Sequence, residues 1–126
     1  MNSYGMQYIL DLGDINIICK KDMRKQLTAF CKRLCKQIDM ERGPLHFWDY
    51  ADDSKKDYDN APDHLQGSSL VQFIQTSTIT IHHRHRQKSV NVDVFSCKSF
   101  EPMVVLRECL GFFGGRIIKD HIFERN

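Results

Sequence analysis

Apolar residues recur at helical spacing between residues 22 and 40, and basic residues occupy the opposite face. The apolar set is Leu27, Phe30, Cys31, Leu34, Cys35 and Ile38. Asp22 is a candidate N-cap before this stretch, and Gly43-Pro44 follows it. Pro102 opens a second helical stretch, and Gly114-Gly115 ends it. The pattern predicts two helices that each bury one face against a sheet.

Strand patterns fill most of the remaining chain, where apolar and polar residues alternate or β-branched residues cluster. The predicted strands cover residues 4–12, 45–50, 70–81 (one long bent strand or two short ones), 90–95 and 116–123. This order predicts an α+β fold in which an antiparallel or mixed sheet carries two helices on one face. The uncovered face predicts a homodimer, or a higher homo-oligomer, that packs sheet to sheet in an α/β/β/α arrangement.

Residues 51–67 interrupt this periodicity. They include five aspartates and the turn-forming segment Asn60-Ala61-Pro62, which together predict a long exposed loop. A loop of this length in a compact domain is either functional or a solvated excursion, and both interpretations remain open.

Length and composition indicate one soluble globular domain that spans residues 1–126. A formal net charge of +2 predicts no strong attraction to nucleic acid or anionic lipid. No apolar run approaches the roughly 18 residues needed to cross a bilayer, and residues 1–8 lack a signal-peptide pattern. Five cysteines without paired Cys-x-x-Cys spacing predict free thiols in a reducing compartment. We therefore expect a cytoplasmic protein with no membrane or nucleic-acid partner.

The candidate chemistry lies in the predicted strands. Ser77 supplies a hydroxyl nucleophile, His82 an imidazole five residues later, and Cys97 a thiol on the following strand. Because side chains alternate in a regular strand, Ser77 and His82 can cooperate only if the backbone bends or bulges between them. The chain has no Gly-x-Ser-x-Gly elbow for a hydrolase. Taken singly, each residue is better explained by a place in a strand or in the core.

Taken together, the three residues match the spacing of a known family. Residues 76–82 read Thr-Ser-Thr-Ile-Thr-Ile-His, and residues 94–97 read Val-Phe-Ser-Cys. The two segments resemble the motifs Glu-Ser-His-x-Ser/Thr-Ile-His-Thr-x-Pro-Glu and Phe-Thr-Cys-Gly of the prokaryotic S-adenosylmethionine decarboxylases, with no gap between His82 and Cys97. Gly5, Gly67-Ser68-Ser69 and Phe100-Glu101-Pro102 also resemble the family, so the likeness extends over most of the chain.

The resemblance implies a self-processing proenzyme with a pyruvoyl cofactor. Ser77 would attack the carbonyl of Thr76, His82 would remove the α-proton for elimination, and the chain would end as fragments 1–76 and 77–126. The pyruvoyl group generated from Ser77 would form a Schiff base with the substrate amine and accept the electrons left by carbon dioxide. Cys97 would then return a proton to the α-carbon.

Departures from the family pattern bear on processing and on the substrate. Thr76 and Thr78 replace the family's Glu and His on either side of the cleaved serine. His83-Arg84-His85-Arg86 replaces the segment whose aromatic ring and carboxylate would hold the nucleoside. Either S-adenosylmethionine is bound by other groups, or the substrate is another amine such as arginine or ornithine.

Candidate substrate-binding residues follow from these two alternatives. Aromatic stacking could come from Phe47, Trp48 or Tyr50. A cationic substrate would pair with carboxylates, and the candidates are Asp11, Asp14 and Asp63. Arg84 and Arg86 would more naturally bind a carboxylate. The spacing of His83, His85 and Cys97 fits no standard zinc site, and no metal is expected.

The resemblance favours an S-adenosylmethionine decarboxylase of polyamine (spermidine) biosynthesis. A pyruvoyl-dependent arginine or ornithine decarboxylase on the same scaffold is the first alternative. The second is a non-catalytic relative that acts as a binding module, for which the basic run at residues 82–88 is a candidate surface.

Overall fold

A computed structural model of the chain describes residues 4–49 and 54–126. Its elements in chain order are β1 (Gly5–Gly13), α1 (Met23–Gln37), β2 (Arg42–Asp49), α2 (Lys55–Asn60), β3 (Gly67–Ile74), β4 (Ser77–Arg84), β5 (Ser89–Ser96), α3 (Pro102–Phe113) and β6 (Arg116–Arg125). Short 3-10 turns at Lys20–Asp22 and Asp63–Leu65 precede α1 and β3. Among the described residues, no helix is both long enough and apolar enough to cross a membrane.

The six strands form one antiparallel sheet in the order β2-β3-β4-β5-β1-β6. Alternation along the central strands turns one set of side chains toward the helices. In β4 and β5 this set includes Ile79, Ile81, Val90, Val92 and Val94, which are all buried. The opposite face carries Thr78, Thr80, His82, Asn91 and Asp93 and is called the open face below.

The helices α1 and α3 pack side by side on the buried face and close the core. Phe30 of α1 stacks on Phe112 of α3 with ring centroids 4.5 Å apart, and it meets Phe113 edge-on at 5.3 Å. These aromatic contacts tie the two helices together above the sheet. The predicted α+β architecture with two helices on one face of the sheet is therefore confirmed.

Several predicted boundaries need adjustment. The stretch 70–81 is two strands, because Gln75 and Thr76 form a turn between β3 and β4. Asp22 directly precedes α1, although its side chain makes no capping hydrogen bond. Pro102 begins α3, and Gly114 follows its last residue with a φ of 68°. The strand predicted at residues 45–50 begins earlier, at residue 42, and its predicted end, Tyr50, lies outside the described residues.

The prediction of one long exposed loop over residues 51–67 is wrong for residues 54–67. Ser54 caps α2 by accepting a hydrogen bond from the Asp57 amide at 3.1 Å, and Lys55 pairs with Asp59 at 2.9 Å. Buried Gln66 donates to the Tyr58 carbonyl oxygen at 2.6 Å. Because α2 buries none of its own side chains, no apolar periodicity marks it in the sequence. Residues 51–53 lie outside the described residues.

The end of β4 is fixed to the core by two histidines. His83 is 1 % exposed, and its ring stacks on Phe113 with centroids 6.1 Å apart. Neither ring nitrogen of His83 has a hydrogen-bond partner among the described residues. His85 packs edge-on against His83 at 5.2 Å, and its Nε2 donates to the Ile18 carbonyl oxygen at 2.9 Å. Burial lowers the pKa of both imidazoles, that of His83 to about 4.

We predict that His83 makes the fold sensitive to acid. Its folded-state pKa of about 4 lies below the ordinary 6.5, so the unfolded chain binds more protons between these values. The free energy of unfolding should therefore fall as the pH drops through this window, by up to about 3 kcal/mol. Urea unfolding of wild type and His83→Phe at several pH values measures the effect.

The His83→Phe variant should lose this pH dependence. The exposed His46 provides the matched control, and His46→Phe should keep the pH dependence of the wild type. If the free energy of unfolding depended on pH equally in wild type and in His83→Phe, His83 would not be the source of the acid sensitivity.

Candidate active site

A two-residue turn presents Ser77 at the start of β4. Ile74 pairs with Ser77 across the β3–β4 hairpin, so only Gln75 and Thr76 lie in the loop. Thr76 has a φ of 58°, in the left-handed region that β-branched residues rarely adopt. The peptide bond expected to be cleaved therefore lies at the edge of a tight turn.

The end of β5 delivers Cys97 to this turn. β5 runs antiparallel to β4 in the register that pairs Thr78 with Phe95, so the residues after Phe95 lie beside the first residue of β4. On the other side β1 approaches closely, because Gly5 has no side chain. A Cβ at Gly5 would collide with the Ser96 carbonyl oxygen and lie 2.9 Å from the Cys97 Cα. Three strands thus hold the backbone around Cys97.

Cys97 contacts both residues of the Thr76–Ser77 peptide. Its backbone N–H donates to Ser77 Oγ at 3.0 Å, and Ser77 Oγ donates to Cys97 Sγ at 3.8 Å. Thr76 Oγ1 lies 2.7 Å from Cys97 Sγ and 2.7 Å from the Gln75 carbonyl oxygen, and its single proton can be donated to either atom. Of the three residues given catalytic roles by the sequence, the structure therefore brings Ser77 and Cys97 together.

The environment of Cys97 differs from that of the other thiols. Hydrogen bonds from Thr76 and then Ser77 lower the pKa of Cys97, because they stabilise its thiolate. Burial instead raises the pKa of Cys31 to about 12 and that of Cys35 to about 11, and it also raises the pKa of Cys109. All five cysteines are free thiols. The thiol beside Ser77 therefore differs from the three buried thiols in the direction of its pKa shift.

A cavity of about 410 Å³ opens beside this turn. Its lining residues are Asp39, Met40, Glu41, Gln75, Thr76, Cys97 and Lys98. Lys98 Nζ pairs with an Asp39 carboxylate oxygen at 3.0 Å on the cavity wall. Water and small molecules can therefore reach the peptide that joins Thr76 to Ser77.

His82 lies on the open face, away from Ser77. The pairing of β4 is regular with both neighbouring strands from Thr78 to Arg84, so the bend needed to bring the two residues together is absent. The two residues are five positions apart in the strand, which separates them by roughly 16 Å at about 3.3 Å per residue. Within one chain, the serine and the histidine therefore do not meet.

His82 instead pairs with a serine that sequence reasoning gave no role. Ser69 Oγ lies 2.9 Å from His82 Nδ1, because Ser69 stands opposite His82 in the β3–β4 pairing. The sequence could have predicted this pair, since a hairpin whose loop is Gln75-Thr76 places Ser69 opposite His82. The short loop was not recognised in the sequence, so the partner of His82 was missed.

The Ser69–His82 pair borders a cleft of about 630 Å³ at the end of the sheet opposite Cys97. Trp48 lines the same cleft and is 88 % exposed, so its indole ring is available for stacking. Phe47, the second aromatic candidate, is half-buried against the core. The third candidate, Tyr50, lies outside the described residues.

Asp11, the first predicted partner for a cation, faces the centre of the open face. Asn91 donates to its carboxylate at 2.6 Å, and Gln7 donates to the neighbouring Asp93 at 2.9 and 3.0 Å. Both aspartates line a shallow cavity of about 240 Å³ with His82 at its rim. The open face therefore combines carboxylates with the exposed imidazole.

The remaining predicted substrate residues contact one another or nearby protein groups. Arg86 pairs with Asp63 at 2.8 Å and donates to the carbonyl oxygens of Asp59 and Ala61, which ties the end of α2 to the β4–β5 turn. Arg84 donates to Ser89 Oγ at 3.3 Å. Asp14 pairs with Arg116 at 2.7 Å.

His83, His85 and Cys97 do not form a metal site. The two histidines lie at the end of β4, whereas Cys97 lies beside its first residue. Across residues 4–49 and 54–126, no group of three or more His, Cys, Asp or Glu side chains is arranged to hold a metal ion.

Comparison with protein-family models identifies one family. The family model described as S-adenosylmethionine decarboxylase matches residues 6–126. The fold is similar to the crystal structure of the adenosylmethionine decarboxylase from Aquifex aeolicus VF5, with a TM-score of 0.74 and 14% sequence identity, over 100% of this chain and 93% of that chain. No curated protein sequence matches the chain.

We predict that Cys97 is alkylated faster than the three buried cysteines. A lowered pKa and partial exposure both favour reaction with iodoacetamide, whereas burial protects Cys31, Cys35 and Cys109. A Cys19→Ser background removes the other exposed thiol, and peptide mass spectrometry follows each site with time. Thr76→Val should slow the reaction of Cys97 by removing a hydroxyl donor to its thiolate. Alkylation of Cys97 no faster than that of Cys31 would contradict the lowered pKa and partial exposure of the Cys97 thiol.

Proposed function

The chain belongs to the S-adenosylmethionine decarboxylase family, and from this premise we propose that it is a pyruvoyl-dependent decarboxylase that makes its cofactor from Ser77. One observation carries the proposal. Ser77 Oγ is bound by the Cys97 amide and thiol at the edge of a two-residue turn, beside the carbonyl it must attack. A serine in this setting fits the precursor of a pyruvoyl group.

Self-processing begins with an acyl shift from nitrogen to oxygen. Ser77 Oγ attacks the carbonyl carbon of Thr76, the amide bond between the two residues breaks, and an ester forms. Cys97 Sγ, 3.8 Å from Ser77 Oγ, takes the hydroxyl proton and passes it to the freed amine of residue 77. The lowered pKa of Cys97 supports this role, because the hydrogen bonds that cause it stabilise the thiolate form, which is the form that accepts a proton.

The ester must then lose the α-proton of residue 77, which requires a base. His82 is the predicted base, yet His82 of the same chain lies on the open face, roughly 16 Å along β4. We therefore assign this step to His82 of a second copy, oriented by Ser69. Elimination releases the Thr76 carboxylate, and hydrolysis with loss of ammonia leaves the pyruvoyl group on fragment 77–126.

A homodimer that packs open face to open face would supply that second copy. The open face carries large exposed apolar side chains, which in a monomer would remain in water: Trp48, Phe73 and Phe123. The cleft with Ser69 and His82 and the turn with Ser77 and Cys97 lie at opposite ends of β4. Two sheets packed with their strands antiparallel would bring the cleft of one copy to the turn of the other.

The pyruvoyl group would supply a carbonyl that accepts the electrons left when carbon dioxide departs from a bound amine. Cys97 would deliver the proton that replaces the carboxylate, since its thiol lies beside residue 77. The product of an S-adenosylmethionine decarboxylase feeds spermidine synthesis, so we place the protein in polyamine biosynthesis in the cytoplasm.

Two substrate classes remain candidates, and each has support on the open face. Trp48 in the cleft beside Ser69 and His82 supports a nucleoside substrate, because its exposed indole can stack on adenine. Asp11 and Asp93 support a cationic side chain, such as that of arginine or ornithine, because within residues 4–49 and 54–126 no cation pairs with either carboxylate. Carbon dioxide release from each compound decides between them.

A non-catalytic binding module is the remaining alternative. The basic run at residues 82–88 gives it little support, because His83 is buried and Arg86 is bound to Asp63 and to main-chain oxygens. Oligonucleotide binding that weakens steeply with salt, without any decarboxylation, would favour this alternative.

We predict that purified wild-type chain converts with time into fragments 1–76 and 77–126, visible on a denaturing gel. Ser77→Ala should stay intact because it lacks the nucleophilic oxygen. Ser89→Ala, which removes a serine at the far end of the adjacent strand, should cleave at the wild-type rate. A wild-type chain that remains whole after prolonged incubation would contradict self-processing.

We also predict that His82 acts between subunits. His82→Ala alone should cleave at least ~100-fold more slowly, because the base for elimination is lost. Mixed with Ser77→Ala, the His82→Ala chain should be cleaved again, since the second chain supplies an intact His82. The control partner carries both Ser77→Ala and His82→Ala, and it should not restore cleavage of the His82→Ala chain. No rescue by Ser77→Ala would show that His82 does not act from a second copy.

A further inference from the structure

Thr76 occupies a backbone conformation that its side chain disfavours. Its φ of 58° lies in the left-handed region, where the branched Cβ crowds the neighbouring backbone. The other non-glycine residues with positive φ in the described part of the chain are Asp14, Asp39 and Lys88. None of these is β-branched, so the least tolerant side chain occurs at the peptide expected to break.

The surrounding contacts force this conformation on Thr76. Pairing of Ile74 with Ser77 leaves only two residues to reverse the chain, and such short loops usually contain glycine or asparagine. The hydroxyl of Thr76 is also held between the Gln75 carbonyl oxygen and Cys97 Sγ, each at 2.7 Å. The turn therefore cannot relax without breaking the hairpin end or the contact with Cys97.

We propose that Thr76 is a positioning residue for self-cleavage, whose strained left-handed turn promotes breakage of its own bond to Ser77. The inference rests on the proposed self-processing function. The acyl shift breaks the Thr76–Ser77 amide bond, forms the ester to Ser77 Oγ, and moves the hydroxyl proton to the amine of residue 77. Residue 76 is then no longer held by a peptide bond in the turn and can leave the left-handed region. Strain present before the step and released during it lowers the barrier.

A series at position 76 separates strain from the hydroxyl group. Thr76→Val keeps the branched Cβ without the hydroxyl, and it should cleave no more than about threefold more slowly than wild type, a loss that the missing hydrogen bond to Cys97 accounts for. Thr76→Asn and Thr76→Gly both tolerate the left-handed region, and asparagine does so without the flexibility of glycine. Both should cleave roughly 5- to 10-fold more slowly, which a gel time course measures.

The thermal stability of the uncleaved chain provides the second measurement. In a Ser77→Ala background, which cannot cleave, Thr76→Asn should raise the Tm by roughly 2–4 °C because it removes strain. Lys88→Gly is the matched control, since it relieves a left-handed residue in the other hairpin of β4, with φ of 47°. This variant should change stability without slowing cleavage.

The inference predicts an inverse relation at position 76, in which variants that stabilise the uncleaved chain cleave more slowly. The inference would be overturned, with self-processing left intact, if Thr76→Asn cleaved as fast as wild type or lowered the Tm. Thr76→Val as slow as Thr76→Gly would overturn it too, because the hydroxyl would then be the important group. A wild-type chain that never cleaves would overturn the proposed function together with this inference.

Discussion

The register between β4 and β5 is the constraint on which the candidate site depends. With Thr78 opposite Phe95, the residues that follow Phe95 meet the first residue of β4, and the Cys97 amide bonds to Ser77 Oγ. A slip of one residue would turn every side chain of β4 to the other face and would expose Ile79 and Ile81. Burial of the core therefore fixes the positions of Ser77 and Cys97 relative to each other.

The same alternation separates Ser77 from His82. An interval of five residues in a regular strand places the two side chains on opposite faces, and no bulge in β4 changes this. The chain thus keeps a turn with Ser77 and Cys97 apart from a cleft with Ser69, His82 and Trp48. The proposed dimer would bring the turn of one copy to the cleft of the other.

Much of the fold follows from the sequence, because it depends on strong periodic burial. The apolar stripe of α1 and the alternating valines of β5 predicted their elements, and Pro102 and Gly114 marked the ends of α3. The helix α2 was missed because polar capping and main-chain contacts hold it, without buried side chains. The short turn at Gln75-Thr76 lacks the usual glycine, so the partnership of Ser69 with His82 was missed as well. The buried place of His83 was equally hidden, since nothing in a basic run indicates an imidazole stacked on Phe113.

The central claim is that Ser77 is converted into a pyruvoyl group. The mass of the fragment that begins at residue 77 tests this most directly, because it separates conversion from simple hydrolysis of the Thr76–Ser77 bond. The account predicts a fragment lighter than the serine-initiated peptide by the mass of one ammonia. A fragment that retains an unmodified serine at its start would contradict the account.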